Sequence, residues 1–365
     1  MENINDIFRT FGPDYLERYG EAIPLEHRKA IQAICDCRTE ACGTALYRCE
    51  QCGQSHLLNR SCGNRHCPTC QHHKTRAWLE KQLERQLPGH HFLITFTVPE
   101  PLRRFIRTKQ RTAYSAMFKA SSESLRKLAA DEKYMGGDLP GFLGVLHTWG
   151  RTLDCHPHIH YIVAGGALSS AKGTWHPSRL DFYLPVKALS KIFRAKFRDE
   201  IEKAGLLDHI PDEVWQTDWV VNSQAVGSSE ASLKYLAPYV FRVAISNNRI
   251  ISIENRTVSF RYRKSGSHRW RTLALEVLEF IRRFLQHVLP TGFMKVRYYG
   301  FMNTSCTVTL EQISSLIQLA HGLALALPES ELEPLVPMVC PKCGGTLKLL
   351  FVSFPYLYDH FAASG

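Results

Sequence analysis

The cysteines constrain this chain more than any other feature of its sequence. Eight of the twelve lie between Cys35 and Cys70, and two Cys-x-x-Cys pairs within this segment, Cys49/Cys52 and Cys67/Cys70, are separated by fourteen residues. Each pair offers two thiolates, and the intervening loop lets the pairs face one another, as in a closed tetrahedral zinc site. The spacing therefore predicts a structural Zn²⁺ bound by these two pairs, in a segment too small to bury a core of its own.

A second zinc site is predicted from the potential ligands that interleave with the first set. Its expected ligands are Cys37, Cys42, Cys62 and His66. Other residues nearby have suitable side chains and leave the choice open: Cys35, His56, His72 and His73. Near the C-terminus, Cys340 and Cys343 form a further Cys-x-x-Cys pair, which is either half of a site completed by Cys306 or a histidine, or a remnant.

Charge and hydropathy limit where such a chain acts and what it binds. Its 365 residues carry 45 Lys and Arg against 34 Asp and Glu, a net charge of +11. This excess favours an anionic partner, of which nucleic acid is the commonest. The sequence has neither a secretory signal pattern nor a run of about eighteen apolar residues, so we expect no membrane partner. We expect the chain in the cytoplasm, where cysteines rarely form disulfides.

Hydrophobic periodicity predicts an α+β domain in the middle of the chain. The predicted strands are 91–98, 142–149, 157–163 and 215–221, and the predicted helices are 109–130 and 185–204. The order strand, helix, strand, strand, helix, strand is that of a ferredoxin-like antiparallel sheet. The linker at 150–155 is short enough to make the second and third strands an antiparallel pair.

The third predicted strand carries His156, His158 and His160 at alternate positions. Side chains two residues apart share one face of a strand, so His158 and His160 point together. Two neutral imidazoles that converge form half of a metal site, although an isolated pair of this kind is more often a surface or core feature. His147 on the neighbouring strand is the first candidate for a third ligand, followed by His156 and Asp154.

A predicted helix that begins near Ser228 and Ser229 contains two tyrosines, Tyr235 and Tyr239. Residues four apart lie on the same helical face. Such a pair more often packs than reacts, but Pro238 removes a backbone hydrogen bond and is expected to kink the helix beside Tyr239. A strained helix at this point would be unusual if the tyrosines only packed.

A basic β-hairpin is predicted further along the chain. Residues 255–272 contain six Arg or Lys and no acidic residue, and strands at 258–263 and 268–271 flank a turn. Arginines with aromatic rings nearby suit single-stranded nucleic acid, since cations follow the phosphates and rings stack on bases. A solvated basic hairpin would have the same composition. The predicted DNA contacts are Arg261, Arg263, Lys264, Arg269 and Arg271.

Together these motifs resemble the HUH (histidine, bulky apolar residue, histidine) rolling-circle transposases of the insertion-sequence 91 type. The matching stretches are CRT at 37–39, SCGNRHCPTCQ at 61–71, LHTWG at 146–150, HPHIH at 156–160, KYLAPYV at 234–240 and QHVLP at 286–290. The resemblance implies an N-terminal zinc-binding domain followed by a nuclease domain of ferredoxin-like topology. It also implies that His158 and His160 are the HUH pair and that Tyr235 and Tyr239 are the nucleophiles.

Three consecutive regions are expected from the motifs and the resemblance. They are helices with a zinc-ribbon-like domain at 1–88, the HUH endonuclease domain at 89–250, and a helical and β C-terminal region at 251–365 that holds the basic hairpin and the CPKCGG stretch. The resemblance implies nicking and joining of single-stranded DNA at insertion-sequence ends through a 5′-phosphotyrosine. Target DNA is a further partner, and the protein would associate with the bacterial nucleoid when acting.

The expected cofactors are structural Zn²⁺ and a catalytic Mg²⁺ or Mn²⁺ held by His158, His160 and His147. The nearest alternative is a plasmid replication initiator or relaxase with the same chemistry, against which the zinc-binding domain argues. An alternative of another class is a non-catalytic zinc-ribbon DNA-binding protein in which the histidines and tyrosines pack.

Overall fold

The chain divides into two compact units that are not contiguous in sequence. The computed structural model describes residues 3–70, 72–240, 244–264, 266–322 and 337–354, without the side chains at 72, 73, 238 and 239. The first unit comprises Met1–His72, Ile245–Val288 and Glu331–Gly365, and the second comprises His73–Ala244 and Leu289–Ser330. These limits differ from the predicted boundaries at 88 and 250 because the first unit takes in segments from both ends of the chain. The functional division at those boundaries stays a prediction.

The helices and strands alternate irregularly along the chain. In order, they are α1 (Ile4–Tyr19), α2 (Leu25–Asp36), β1 (Thr44–Cys49), β2 (Ser55–Asn59), α3 (His72–Leu83), β3 (His91–Thr97), α4 (Leu102–Thr108), α5 (Gln110–Ala130), β4 (Leu139–Trp149), β5 (Cys155–Ser169), β6 (Thr174–Pro177), α6 (Val186–Lys203), α7 (Glu213–Gln216), β7 (Val220–Gly227), α8 (Ser229–Val240), β8 (Ile250–Glu254), β9 (Thr257–Arg263), β10 (Trp270–Glu276), α9 (Val277–Leu285), β11 (Val296–Tyr299), α10 (Leu310–His321) and β12 (Leu347–Val352). Within the described ranges, no helix has the length and apolar character needed to cross a membrane.

Two three-stranded antiparallel sheets build the first unit. One has the order β12-β1-β2 and the other β10-β9-β8, so the predicted basic hairpin is confirmed as β9 and β10. Helix α9 covers the second sheet, with the rings of Phe260 and Phe280 5.9 Å apart. Helix α1 packs on α9 through Phe8 and Phe284, whose ring centroids are 5.0 Å apart.

An antiparallel sheet of order β11-β4-β5-β3-β7 forms the centre of the second unit, with β6 added beside β5. Helix α5 precedes β4, and α6 lies between β5 and β7 in the chain. The structure confirms the prediction of mixed helices and antiparallel sheets, together with the antiparallel pairing of β4 and β5.

The largest core lies on one face of this sheet, against α5 and α6. Ile159, Tyr161 and Val163 of β5 are all buried in it. The Tyr161 hydroxyl lies 2.7 Å from Ser121 Oγ on α5, which anchors the strand to the helix. Because side chains alternate along β5, its even-numbered residues point to the opposite face, where α8 lies against the sheet.

The predicted strand at 215–221 begins later than expected. Residues Glu213–Gln216 form the short helix α7, and the strand β7 starts at Val220. The indole of Trp219 donates to the carbonyl of Val214 at 3.2 Å, and the rings of Trp215 and Trp219 stack 6.2 Å apart. Trp215 and Trp219 therefore pack beside α6, whereas the sequence pattern predicts strand positions for both.

Candidate metal centres and active site

Three histidines of the second unit converge on one point. His147 on β4 lies directly opposite His158 on β5, and His160 follows two residues later on the same face. One ring nitrogen from each lies within 4.8 Å of those from the other two. The ring centroids are 4.7 to 5.3 Å apart. The structure thus brings together the three residues predicted from the sequence. Their role as metal ligands stays a prediction.

All three imidazoles are held in the neutral form. Burial lowers the pKa of His158 to about 3, with a further contribution from His160, and burial lowers the pKa of His160 to about 4. Burial, followed by the charges of His160 and His158, holds the pKa of His147 well below its usual value. A neutral imidazole has a free lone pair, so near pH 7 a metal ion displaces no proton.

Hydrogen bonds to the far side of two rings fix their orientation. His158 Nδ1 lies 2.6 Å from the carbonyl oxygen of His156, to which it donates, and His160 Nδ1 lies 2.8 Å from Thr95 Oγ1. Both contacts leave Nε2 for a ligand, the arrangement by which outer hydrogen bonds orient metal-binding histidines. Thr95 was not anticipated from the sequence, although its place opposite His160 in the β3–β5 register was the available signal.

The two alternative third ligands are not part of the histidine cluster. His156 Nδ1 accepts a hydrogen bond from Arg103 Nη2 at 3.0 Å, and Asp154 accepts one from the hydroxyl of Thr152. Arg103, also not anticipated, places a guanidinium beside the histidine strand. Leu153 in the same connection is fully buried with a φ of 63°, a conformation that only a surrounding structure can hold in a branched residue.

Tyr235 lies on α8 next to the histidines. Its ring centroid is 6.4 Å from that of His160, and the side chain is 53% exposed, so it is open to a substrate. Helix α8 contacts β3, β4, β5 and β7, the strands of the histidine face and their neighbours. Tyr239 follows one turn later on α8, but its side chain and that of Pro238 lie outside the described residues.

One cysteine cluster forms at the base of the β1–β2 hairpin. Its members are Cys37, Cys62, Cys67 and Cys70. Cys70 Sγ lies 3.4 Å from Cys37 Sγ and 3.5 Å from Cys62 Sγ. The buried Asn5 side chain donates to Cys67 Sγ at 3.5 Å, which adds an outer partner to the cluster.

A second cysteine cluster forms at the tip of the same hairpin. It contains Cys49, Cys52, Cys340 and Cys343, with Sγ to Sγ distances of 3.5 Å for Cys49 and Cys343 and 3.8 Å for Cys52 and Cys340. In a tetrahedral zinc–thiolate site with Zn–S bonds of about 2.3 Å, the sulfurs are about 3.8 Å apart. Both clusters therefore fit Zn²⁺ in spacing and in donor type.

The predicted grouping of the cysteine ligands is wrong. Cys49 and Cys52 share no cluster with Cys67 and Cys70 because the five residues of β2 carry the chain roughly 16 Å from the hairpin tip to its base. Of the second predicted set, Cys37 and Cys62 join the cluster at the base. Cys42 instead donates to the carbonyl of Asp36 at 3.2 Å.

The remaining candidates from the sequence are not members of either cluster. His66 Nε2 accepts from Arg65 Nε at 3.3 Å, and Cys35 Sγ donates to the carbonyl of Phe8. Cys306, one predicted partner for Cys340 and Cys343, belongs to the second unit, whereas His56 Nε2 lies 3.3 Å from Cys340 Sγ. The side chains of His72 and His73 lie outside the described residues.

The basic hairpin presents two of its arginines around one exposed indole. Arg261 and Arg263 lie 5.0 and 4.2 Å from the centroid of Trp270, which is 46% exposed. Arg271 pairs with Tyr262 in the strand register and so points to the other face. Lys264 and Arg269 are exposed near the turn. Contact of these five residues with DNA stays a prediction.

Comparison with known proteins gives matches along most of the chain. A family model described as "Transposase zinc-binding domain" matches residues 7–98, and one described as "Putative transposase" matches residues 141–309. "Putative transposase y4qJ" of Sinorhizobium fredii is 37% identical over 320 residues, which cover 82% of this chain and 80% of that protein. "Transposase for insertion sequence element IS801" of Pseudomonas savastanoi pv. phaseolicola is 26% identical over 319 residues, covering 80% of this chain and 74% of that protein. No solved structure matches the chain.

Proposed function

The chain belongs to the transposases of the insertion-sequence 91 type, and we propose that it nicks and joins single-stranded DNA at insertion-sequence ends during rolling-circle transposition. The observation that carries the proposal is the exposed Tyr235 beside three neutral imidazoles that converge on one point. The order β3, α5, β4, β5, α6, β7 supports it, because this is the order of a ferredoxin-like fold.

Tyr235 is the proposed nucleophile. Its phenolic oxygen attacks the scissile phosphorus and releases its proton as the new oxygen–phosphorus bond forms. The bond from phosphorus to the 3′ oxygen breaks, and that oxygen takes up a proton to leave a 3′-hydroxyl. The 5′ end of the DNA stays on the tyrosine as a phosphodiester, so the reverse attack by a 3′-hydroxyl rejoins the strand without ATP.

His147, His158 and His160 are proposed to hold a divalent cation, which when bound would neutralise the charge of the scissile phosphate. Thr95 and the carbonyl of His156 hold two of the rings with Nε2 available. Nitrogen donors suit Mn²⁺ better than Mg²⁺, which prefers oxygen ligands, so Mn²⁺ is the better fit to this set. The guanidinium of Arg103 beside His156 adds positive charge suited to the DNA backbone.

Tyr239, one turn after Tyr235 on α8, is proposed as a second nucleophile, so that one tyrosine holds a cleaved end while the other cleaves the next strand. The basic hairpin β9–β10 is proposed to bind DNA through arginines and through stacking on Trp270. The zinc ions are proposed to have a structural role in the first unit.

The test is the formation of a covalent adduct between the protein and a labelled single strand bearing the insertion-sequence end, with Mn²⁺ present. Tyr235→Phe should reduce denaturation-resistant adducts, and the double variant with Tyr239→Phe should abolish them while DNA binding persists. Tyr134→Phe, a change at another exposed tyrosine of the second unit, is the matched control. Adducts that survive in the double variant would exclude both tyrosines as nucleophiles.

A further inference from the structure

We propose that Cys49, Cys52, Cys340 and Cys343 bind a second structural Zn²⁺, which fastens the C-terminal segment 337–354 to the N-terminal zinc-binding region. This segment lies outside both ranges matched by the family models, which end at residues 98 and 309. The cluster at the hairpin base, Cys37, Cys62, Cys67 and Cys70, is complete without it. The proposal is independent of the catalytic assignment.

The spacing of the four sulfurs favours a metal ion over disulfide bonds. The distances of 3.5 Å and 3.8 Å between sulfurs of the two pairs are far from the S–S bond of about 2.05 Å. All four sulfurs lie within 4.8 Å of one another, so each has three neighbours rather than one. Four thiolates at such distances are the donor set of a closed zinc site.

The two Cys-x-x-Cys turns have the same backbone conformation, although they lie at opposite ends of the chain. The N–H of Gly53 donates to the carbonyl of Cys49 at 3.0 Å, and the N–H of Gly344 donates to that of Cys340 at 2.8 Å. Both glycines have positive φ, 69° and 77°, which favours glycine at this position. The first cysteine of each turn also donates its N–H to a carbonyl just beyond the turn: Cys49 to that of Gln54 at 2.9 Å, and Cys340 to that of Gly345 at 2.7 Å.

This repetition means that each turn directs its two sulfurs to one side. In zinc ribbons two such turns face each other across the ion. Here the turns approach closely, since a Cβ at Gly345 would lie 2.7 Å from the side chain of Gln51. The N–H of Glu50 also donates to the carbonyl of Thr346 at 3.0 Å, which joins the two turns through their backbones.

Strand pairing brings the second turn to the first. Strand β12 runs antiparallel to β1, with Leu347 opposite Cys49 and Val352 opposite Ala45. At the far end, the N–H of Ser353 donates to the carbonyl of Thr44 at 2.8 Å. The sheet therefore holds the segment at one end by hydrogen bonds, and the proposed ion holds it at the other.

Exposure of the ligands distinguishes the two clusters. Cys52 and Cys343 are exposed, whereas three of the four cysteines at the hairpin base are buried and the fourth is half-buried. A chelator reaches exposed thiolates more readily, so the ion at the hairpin tip should be lost first. Its loss would release the C-terminal segment before the base of the hairpin is affected.

The first test is the zinc content of the purified full chain. The double variant Cys340→Ser/Cys343→Ser should contain one zinc ion fewer per chain than the wild type, and proteases should cut more readily within 337–354. Cys306→Ser, which changes a cysteine of the second unit, is the matched control and should keep the full content. Unchanged zinc content in the double variant would overturn the proposal.

The second test uses the wild-type protein, so it does not depend on the folding of a variant. In the zinc-loaded chain, Cys340 and Cys343 should resist alkylation as measured by mass spectrometry. A chelator added in small amounts should expose them together with Cys49 and Cys52, before Cys67 and Cys70, as the first zinc ion leaves. Alkylation of Cys340 and Cys343 at the rate of free thiols in the loaded chain would refute the site.

Discussion

Groups outside the histidine cluster hold two rings of the proposed active site in place. His160 is oriented through Thr95, and His158 through the backbone carbonyl of His156. Such outer contacts select the ring nitrogen that faces the metal and stop the ring from rotating. The affinity of this site for a metal ion therefore depends on residues of β3 and β5 that are not themselves among the proposed ligands.

Thr95→Val should weaken metal binding without unfolding the protein. Valine has nearly the same shape as threonine but cannot accept the hydrogen bond from His160 Nδ1, so the ring loses its fixed orientation. Affinity for Mn²⁺, measured by calorimetry, should fall about 10- to 100-fold. Thr304→Val, at an exposed threonine of the second unit, is the matched control. Equal affinities for the two variants would contradict the orienting role of Thr95.

Buried neutral histidines should make the metal-free protein less stable as the pH falls. Burial lowers the pKa of His91 to about 4, as it does for His160, whereas the same groups titrate near 6.5 in an unfolded chain. Between these values the unfolded chain binds protons that the folded chain excludes, so each histidine reduces the unfolding free energy by up to about 1.4 kcal/mol per pH unit lowered. The loss begins below about pH 6.5 and levels off near pH 4.

The contribution of His91 to this loss can be measured by urea unfolding at several pH values. His91→Asn keeps a donor for the carbonyl of Gly89, to which Nδ1 lies at 3.3 Å, but removes the titrating group. Its stability should fall less steeply between pH 6.5 and 4 than that of the wild type. Equal slopes for wild type and His91→Asn would contradict the neutral state of His91.

The strand pair β4–β5 depends on a glycine that faces an aromatic ring. Gly144 lies opposite Tyr161, and a Cβ there would come within 2.5 Å of the tyrosine ring. Tyr161 cannot move aside, because it is fully buried and its hydroxyl contacts Ser121. The close packing holds β5, and with it the histidines on its opposite face, at a fixed distance from α5.

Gly144→Ala should therefore lower the unfolding free energy by about 1–3 kcal/mol. The change can be followed by tryptophan fluorescence in urea, since five of the six tryptophans lie in the second unit. Gly150→Ala is the control, because its nearest neighbour would lie at an ordinary 3.6 Å. A Gly144→Ala variant as stable as the control would mean that Tyr161 can shift after all.

The element-level prediction of secondary structure succeeded where side-chain periodicity was strong. The alternation along 157–163 predicted both the strand and its two faces, since Ile159 and Tyr161 are buried in the core and the histidines share the opposite face. It failed at Trp215 and Trp219, where bulky apolar residues pack on a helix without forming a strand. The spacing of apolar residues indicates which side chains are buried. Burial alone does not distinguish an edge strand from a loop that packs on a helix.

At the scale of the whole molecule, the cysteine clusters and the histidine cluster belong to different compact units. Zinc binding contributes directly to folding where a segment has little core of its own. The sheet β12-β1-β2 lies between the two cysteine clusters and exposes most of its side chains. The stability of this sheet should therefore depend on metal far more than the stability of the sheet β11-β4-β5-β3-β7, which packs on a large apolar core.

A strong chelator should consequently loosen the first unit and spare the second. Hydrogen exchange measured by mass spectrometry should accelerate by more than about tenfold in 44–59 and 347–352. Exchange in β3 and β5 should stay the same, since their hydrogen bonds are covered by the apolar core. Zinc added back in excess is the control and should restore slow exchange. Equal acceleration in both units would show that the second unit also needs zinc to fold.

The sequence by itself determined the chemical groups of each site and their local geometry. The spacing of two in His158 and His160 places both on one strand face, and Cys-x-x-Cys places two sulfurs in one turn. Only the tertiary structure decided which groups meet, because that depends on strand register and on pairing between segments far apart in the chain. Register set Thr95 against His160, and the pairing of β12 with β1 set Cys340 and Cys343 against Cys49 and Cys52. Local spacing cannot predict the contact between Cys52 and Cys340, which are 288 residues apart in the chain. It therefore predicts one site from the two nearest Cys-x-x-Cys pairs, Cys49/Cys52 and Cys67/Cys70.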